Sequence, residues 1–252
     1  MLEIFILSLI QGVTEFLPVS SSSHLIIVSD YLNFQNEGLS LDVCLHIGSF
    51  IAVLTYFRKD IANFIKNKSL FLKIFVSSIP VMIMGYILVK LNLIDQLRNI
   101  KIIGWMTIVF GILLYISDKC DLNNRINKNF NYKSAVIIGI FQMLSLIPGV
   151  SRSGITITAA RLLRFKRIDA AKISFLLSIP TLGAVSLFGI NNFLNSGNLN
   201  FSITHILAII FAFLFSLITI KYFLEFIKKF SLYYFILYRI ILGIIILTLA
   251  YL

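Results

Sequence analysis

Gln142-Met143-Leu144-Ser145-Leu146-Ile147-Pro148-Gly149-Val150-Ser151-Arg152-Ser153-Gly154 sits inside otherwise apolar sequence. A guanidinium, serine hydroxyls and a Pro148-Gly149 break are costly at hydrocarbon depth, where ionisable side chains by default mark function. The sides of the membrane on which this segment begins and ends decide the fold.

The chain has 252 residues, 58% of them hydrophobic, with a mean hydropathy of +0.94. Long apolar runs recur at Leu41–Phe57, Leu70–Leu91, Ile102–Ser117, Ala170–Ile190, Ile203–Tyr222 and Tyr233–Leu252. Each is near the ~20 residues that a helix needs to cross ~30 Å of hydrocarbon. The runs are continuous instead of alternating over ~10 residues, which excludes a β-barrel reading. The expected fold is therefore all-α, a polytopic membrane helical bundle. No stretch is polar enough for a soluble domain, so residues 1–252 form one integral membrane domain.

The net charge of +11 invites a nucleic-acid partner, but its placement speaks for topology. Basic residues gather at Arg58–Lys73, Lys119–Lys133, Arg161–Lys172 and Lys221–Lys229, whereas Asp30–Ser40 and Asn191–Asn200 carry no Lys or Arg. Such alternation is the positive-inside pattern, and no nucleic-acid partner is expected. The two cysteines, Cys44 in a span and Cys120 in a basic loop, fall in opposite settings, so neither a disulfide nor a metal pair is expected. Nor is a cleavable signal peptide, since the first apolar stretch lacks a basic start and runs into Glu15.

Following the charges, Asp118–Lys133 and Arg161–Lys172 both fall on the inner side, so Ser134–Arg164 must cross an even number of times. Its arms, Ala135–Ile147 and Ile155–Leu163, are about 13 and 9 residues, or ~20 Å and ~14 Å at 1.5 Å per residue. Neither spans ~30 Å. The segment reads as a re-entrant helical hairpin with Pro148-Gly149-Val150-Ser151-Arg152 at its tip, tolerated at depth only if buried or lining a wet cavity.

An earlier stretch repeats the design: Gln11-Gly12-Val13-Thr14-Glu15-Phe16-Leu17-Pro18-Val19-Ser20-Ser21-Ser22-Ser23-His24. It reads either as a second hairpin, entering from the outer side, or as one span kinked at Pro18. A weak internal repeat favours the hairpin. Pro18-Val19-Ser20-Ser21 aligns with Pro148-Gly149-Val150-Ser151, and Ser78-Ile79-Pro80 recurs as Ser178-Ile179-Pro180. Approximate inverted halves, 1–117 and 134–252, would then meet at mid-membrane, as in inverted-repeat transporters.

The two clusters carry complementary chemistry. Arg152 offers a permanent cation with a bidentate fork suited to phosphate. Ser151, Ser153, Thr156 and the backbone of a starting helix add donors. In the first cluster Glu15 is a carboxylate for a divalent cation or for general-base work, and Gln11 shares its helical face. Ser20, Ser21, Ser22 and Ser23 are hydroxyl nucleophiles, and His24 is a proton carrier one turn beyond Ser21. Together they suit phosphoryl transfer on a lipid, a reaction of positioning and charge stabilisation.

Both motifs resemble the signatures of the bacterial undecaprenyl-diphosphatase, or bacitracin-resistance, family. Ser174-Phe175-Leu176-Leu177-Ser178-Ile179-Pro180 and Tyr238-Arg239 resemble it too. The first motif of that family begins with Glu or Gln, which Gln11 satisfies, and Gly is frequent where Ser23 stands. The resemblance implies a plasma-membrane phosphohydrolase with two inverted re-entrant hairpins and an externally facing site. It would convert undecaprenyl diphosphate to the monophosphate for peptidoglycan synthesis, with Mg²⁺ or Ca²⁺. By the same resemblance Ser21 is the nucleophile, His24 assists proton transfer, Glu15 holds metal or activates the nucleophile, and Arg152 grips the diphosphate. Gln11, Ser151 and Thr156 complete the phosphate shell. The expected partners are the polyprenyl diphosphate lipid and the bilayer, with a homodimer among the assemblies admitted.

Two rivals follow from the same residues. An acid-phosphatase-type lipid phosphatase would need an Arg-Pro pair and a later His with an Asp partner, and the chain has neither. A polyprenyl-phosphate transporter or flippase would also use Arg152, but it needs no nucleophile, imidazole and carboxylate. His46 reads as interhelical glue or as part of a cavity wall, the former preferred. Trp105, Tyr115 and Tyr251 read as interface anchors.

Overall fold

The computed structural model describes residues 1–32, 39–66, 68–91, 93–120, 124–195 and 202–252. Parts of the connectors Asp30–Ser40, Asn92–Ile100, Asp118–Lys133 and Asn191–Asn200 lie outside these described residues. The first half holds α1 (Leu2–Thr14), α2 (Ser21–Leu32), α3 (Leu39–Tyr56), α4 (Arg58–Lys66), α5 (Lys68–Lys90), the single turn α6 (Ile94–Leu97) and α7 (Ile100–Asp118). After the short α8 (Ile126–Asn129) come α9 (Tyr132–Met143), a 3₁₀ turn (Leu144–Leu146), α10 (Arg152–Leu162), α11 (Arg167–Asn195), α12 (Ile203–Lys229) and α13 (Tyr233–Tyr251). No strand occurs among the described residues beyond an isolated bridge between Asn124 and Phe165.

Among the described residues five helices, α5, α7, α11, α12 and α13, are long and apolar enough to cross a membrane. The expected span Leu41–Phe57 becomes α3, which at 18 residues reaches ~27 Å and is shorter than these five. Trp105, Tyr115 and Tyr251 are exposed, as interface anchors require. Both cysteines are free.

Polar contacts tie the basic connectors together at one end of the bundle. Lys172 Nζ lies 2.6 Å from Asp60 Oδ1. Asp118, at the end of α7, meets Arg161 of α10 at 3.1 Å and Arg167 of α11 at 2.8 Å. It also accepts the Leu232 N–H that precedes α13, at 3.3 Å. Because Asn124 pairs with Phe165 at this same end, α9 and α10 begin and end together, with the Pro148-Gly149 break between them. Near the opposite end α1 and α2 pack side by side, Ile4, Leu7 and Leu25 sharing a cluster with Leu41 and Ala208. Both arrangements are compatible with short hairpins entering from opposite sides.

The backbone sharpens the internal repeat by one residue. Ser20 (φ 76°) and Ser151 (φ 71°) share the left-handed conformation, and each immediately precedes a helix. Pairing them requires a shift of 131 residues, which also carries Gln11 onto Gln142 and Val19 onto Val150. This register differs by one residue from the expected alignment of Pro18 with Pro148. Ser78-Ile79-Pro80 and Ser178-Ile179-Pro180 are 100 residues apart and do not belong to this relation. Packing is nonetheless reciprocal, α1 resting on α12 and α9 on α5. Both approaches are close: a Cβ on Gly12 would lie 2.9 Å from Ser216 N, and one on Gly139 2.5 Å from the Ser77 carbonyl oxygen. Small residues at such crossings let membrane helices gain dispersion contacts.

Arg161 is fully buried, and Asp118 is its only ion-pair partner among the described residues. Asp118→Ala would leave that guanidinium with the Phe165 and residue-118 carbonyls alone. The expected loss is about 3–5 kcal/mol of stability, the cost of orphaning a buried charge. Denaturation of the purified variant in detergent micelles checks it, an unchanged unfolding midpoint being the contrary result.

Candidate active site

The site is built where both hairpins break. Ser20 and Ser151 hold φ values that non-glycine residues rarely adopt, at a cost of about 1–3 kcal/mol each. They aim the N-termini of α2 and α10, whose first residues are Ser21 and Arg152, into one cavity. Helix N-termini present unpaired N–H groups and a partial positive charge, which together favour anions. Ser151 also caps α10, its Oγ accepting the Gly154 N–H at 3.1 Å.

A chain of short hydrogen bonds joins the two hairpins across this cavity. Ser21 Oγ donates to Glu15 Oε2 at 2.7 Å, and Gln11 Nε2 donates to the same oxygen at 3.1 Å. Arg152 Nη2 donates to the other carboxylate oxygen, Oε1, at 2.8 Å. The carboxylate is nearly buried, its side chain 7% exposed against 12% for Arg152. The Arg152 guanidinium lies 5.9 Å from the centroid of buried Phe16, and its Nη1 donates to the Ser174 carbonyl at 3.2 Å. The cavity, about 200 Å³, is lined by Glu15, Ser20, Ser21, Ser22, Ser151 and Arg152, with His46, Ser145 and Thr181 among the further walls. A larger cavity of about 510 Å³ adjoins it through Ser22, His46, Ser145 and Leu146, and reaches Asp42 and Arg98.

The other expected site residues are nearby but not in the wall. Ser153 Oγ donates to the Leu17 carbonyl at 2.6 Å and so pins one hairpin to the other. Thr156 bonds Ser174 Oγ at 2.7 Å and the Arg152 carbonyl at 2.8 Å, holding the helix turn that carries the cation. His24 departs from the expected approach to Ser21. Its Nδ1 meets the Ser20 carbonyl at 2.6 Å and its Nε2 meets the Tyr238 hydroxyl at 2.6 Å. A carbonyl only accepts, so Nδ1 carries a proton, and in the neutral imidazole Nε2 accepts from Tyr238. In this state the partner of Ser21 is Glu15. Helical spacing brings residues three apart together, but the 2.7 Å bond to Glu15 points the Ser21 hydroxyl elsewhere.

His46 also differs from the preferred interhelical reading. Its Nδ1 bonds the Asp42 carbonyl of its own helix at 2.7 Å, and the ring lines both cavities. The i, i+4 spacing of Asp42 and His46 was visible, but nothing in it told which face α3 turns inward. Ser145, Thr181, Ser174 and Tyr238 were likewise missed as site neighbours. The 131-residue shift pairs Ser145 with Thr14, near Glu15, but that shift comes from the backbone conformation of Ser20 and Ser151 and was not a signal in the sequence.

Among the described residues no group of three or more His, Cys, Asp or Glu could hold a metal. The donors present suit a different kind of site. Gln11 Oε1 is buried without a hydrogen-bond partner, on the side chain that bonds Glu15. One carboxylate and an amide oxygen fit a cation that takes its remaining oxygens from water and substrate phosphates, the habit of Mg²⁺.

Known proteins resemble this chain along nearly its whole length. The chain is 46% identical over 252 residues to the undecaprenyl-diphosphatase of Pelagibacter ubique, covering 99% of this chain and 98% of that protein. It is 40% identical over 250 residues to that of Saccharophagus degradans, covering 94% and 93%, and 36% identical over 262 residues to that of Jannaschia sp., covering 98% of both. The profile of the bacitracin resistance protein BacA family matches residues 4–245, and the chain belongs to that family.

Proposed function

We propose that this chain hydrolyses undecaprenyl diphosphate to undecaprenyl phosphate and inorganic phosphate, returning the lipid carrier to peptidoglycan synthesis and conferring bacitracin resistance. The observation that carries the reading is the Ser21–Glu15–Arg152 relay at two converging helix N-termini. A flippase needs the cation but has no use for a hydroxyl already hydrogen-bonded to a carboxylate.

In the first step Ser21 Oγ attacks the terminal phosphorus, and its proton passes to Glu15 Oε2. The Oγ–P bond forms, the bond from phosphorus to the bridging oxygen breaks, and undecaprenyl phosphate leaves. Water then attacks the phosphoserine, the P–Oγ bond breaks, and Ser21 regains a proton as inorganic phosphate departs. Arg152 neutralises charge on the equatorial oxygens, the dominant contribution in phosphoryl transfer. Ser20, Ser22 and Ser151 offer hydroxyls to the phosphates. Glu15 and Gln11 Oε1 would hold Mg²⁺ or Ca²⁺, which supplies charge neutralisation at the diphosphate. His24 belongs to proton movement or to the frame of the Ser20 turn.

The protein would lie in the bacterial plasma membrane with its site open to the outer face. Supporting this, the larger cavity reaches Asp42 and Arg98, whereas the basic connectors gather at the other end. Assembly as a homodimer is read from the particle mass by light scattering.

Purified protein in detergent with undecaprenyl diphosphate and Mg²⁺ should release phosphate. Chelation by EDTA should lower the rate at least about 10-fold, and added Mg²⁺ or Ca²⁺ should restore it. No release, with lipid translocation intact in liposomes, would overturn the hydrolase in favour of a flippase.

A further inference from the structure

Arg239 lies in the second turn of α13 and is fully buried, yet no carboxylate pairs with it among the described residues. Its guanidinium is instead spread over three backbone carbonyls. Nη1 donates to Pro18 at 3.4 Å, Nη2 to Gly149 at 2.8 Å and Nε to Thr107 of α7 at 3.2 Å. Pro18 and Gly149 are counterparts under the 131-residue shift, and each stands two residues before a left-handed serine. One side chain thus holds equivalent points of both hairpin breaks.

The neighbouring residue extends the hold. Tyr238 bonds His24, whose other nitrogen bonds the Ser20 carbonyl. Space around the clamp is tight, since a Cβ on Gly154 in the first turn of α10 would lie 2.8 Å from Arg239 Nη1. Burying a cation here carries a desolvation cost, and three carbonyl acceptors offset it only while both breaks keep this geometry. A planar fork with five N–H donors can bridge separated carbonyls where an ammonium is a single point.

We propose that Arg239 is a positioning residue for the phosphoryl transfer, fixing the Ser20–Ser21 turn and the Gly149–Arg152 turn relative to one another through their backbones. It touches neither substrate nor the reacting atoms. Its contribution is the registry between nucleophile and cation, where a displacement of about 1 Å can cost about 10²-fold in rate.

The inference rests on the hydrolase reading, so two readouts keep them apart. In the first, Arg239→Lys keeps the charge but not the fork, and Arg239→Gln keeps an amide donor without the charge. Each is expected to lower kcat for undecaprenyl diphosphate about 30- to 100-fold per folded molecule, with KM within about 3-fold, because alignment counts in the transition state. Wild-type kcat in the lysine variant, or a loss that merely tracks the folded fraction, would overturn the clamp. The second readout needs no activity. Spin labels at exposed Asp30 of α2 and Leu162 of α10, with Cys44 and Cys120 replaced, report the distance between the hairpins. The distribution should broaden in Arg239→Gln; an unchanged narrow one would also overturn the clamp. A wild-type protein that releases no phosphate would sink the hydrolase reading instead.

Discussion

Ser21→Ala is expected to lower kcat for diphosphate hydrolysis by about 10³-fold or more, with folding and lipid binding close to wild type. The substitution removes one oxygen from a partly buried side chain at the start of α2. Glu15 keeps its bonds to Gln11 and Arg152, so the carboxylate is not orphaned. What disappears is the atom that would bond phosphorus. Ser20→Ala and Ser22→Ala should cost far less, because the Ser20 hydroxyl is engaged with Ser23 at 2.9 Å and Ser22 at 3.3 Å instead of the carboxylate. Labelled phosphate trapped on the wild-type protein, and absent from Ser21→Ala, would locate the covalent step. Near-normal turnover in Ser21→Ala would move the attack to water activated by Glu15.

These residues differ in how legible they were. Composition was enough for the all-helical bundle, and the short arms α9 and α10 are compatible with the even crossing expected of Ser134–Arg164, because hydrocarbon thickness sets a length that they do not meet. Gln11 and Glu15 were placed on one helical face by their spacing, and the structure bonds them at 3.1 Å. Their link to Ser21 and Arg152 was only a matter of shared chemistry, since 137 residues separate Glu15 from Arg152 and no local rule brings them together.

His24 shows where spacing misled. Three residues from Ser21 is the right distance for a pair, but the competing bond to Tyr238, 214 residues away, turns the ring off. Arg239 shows a different limit. Tyr238-Arg239 sits in a span with no visible partner, and its acceptors are main-chain carbonyls that carry no residue signature. The expected repeat matched Pro18 to Pro148, whereas the left-handed serines suit a register one residue away, and that conformation is a backbone property with no residue signature.

Arg152→Lys should lower kcat/KM for undecaprenyl diphosphate by about 10²- to 10³-fold despite conserving the charge, an effect of about 2.7–4 kcal/mol in transition-state stabilisation. Two different nitrogens of Arg152 are committed in this structure, Nη2 to Glu15 and Nη1 to the Ser174 carbonyl, while the plane rests near Phe16. That geometry fixes a fork, and a fork can meet two phosphate oxygens at once. Lysine ends in a strongly hydrated point that satisfies either Glu15 or a phosphate oxygen but does not span both. Part of the loss should therefore pass through Glu15, whose proton affinity and aim toward Ser21 depend on the neighbouring cation. The double variant Glu15→Gln with Arg152→Lys separates these shares. If Arg152 acts only on substrate, the two losses add; if it also sets the carboxylate that serves Ser21, the double variant is less impaired than the sum. Kinetics of the four proteins at saturating and limiting lipid measure that difference, and near-wild-type turnover in Arg152→Lys alone would remove the guanidinium from the proposed diphosphate grip.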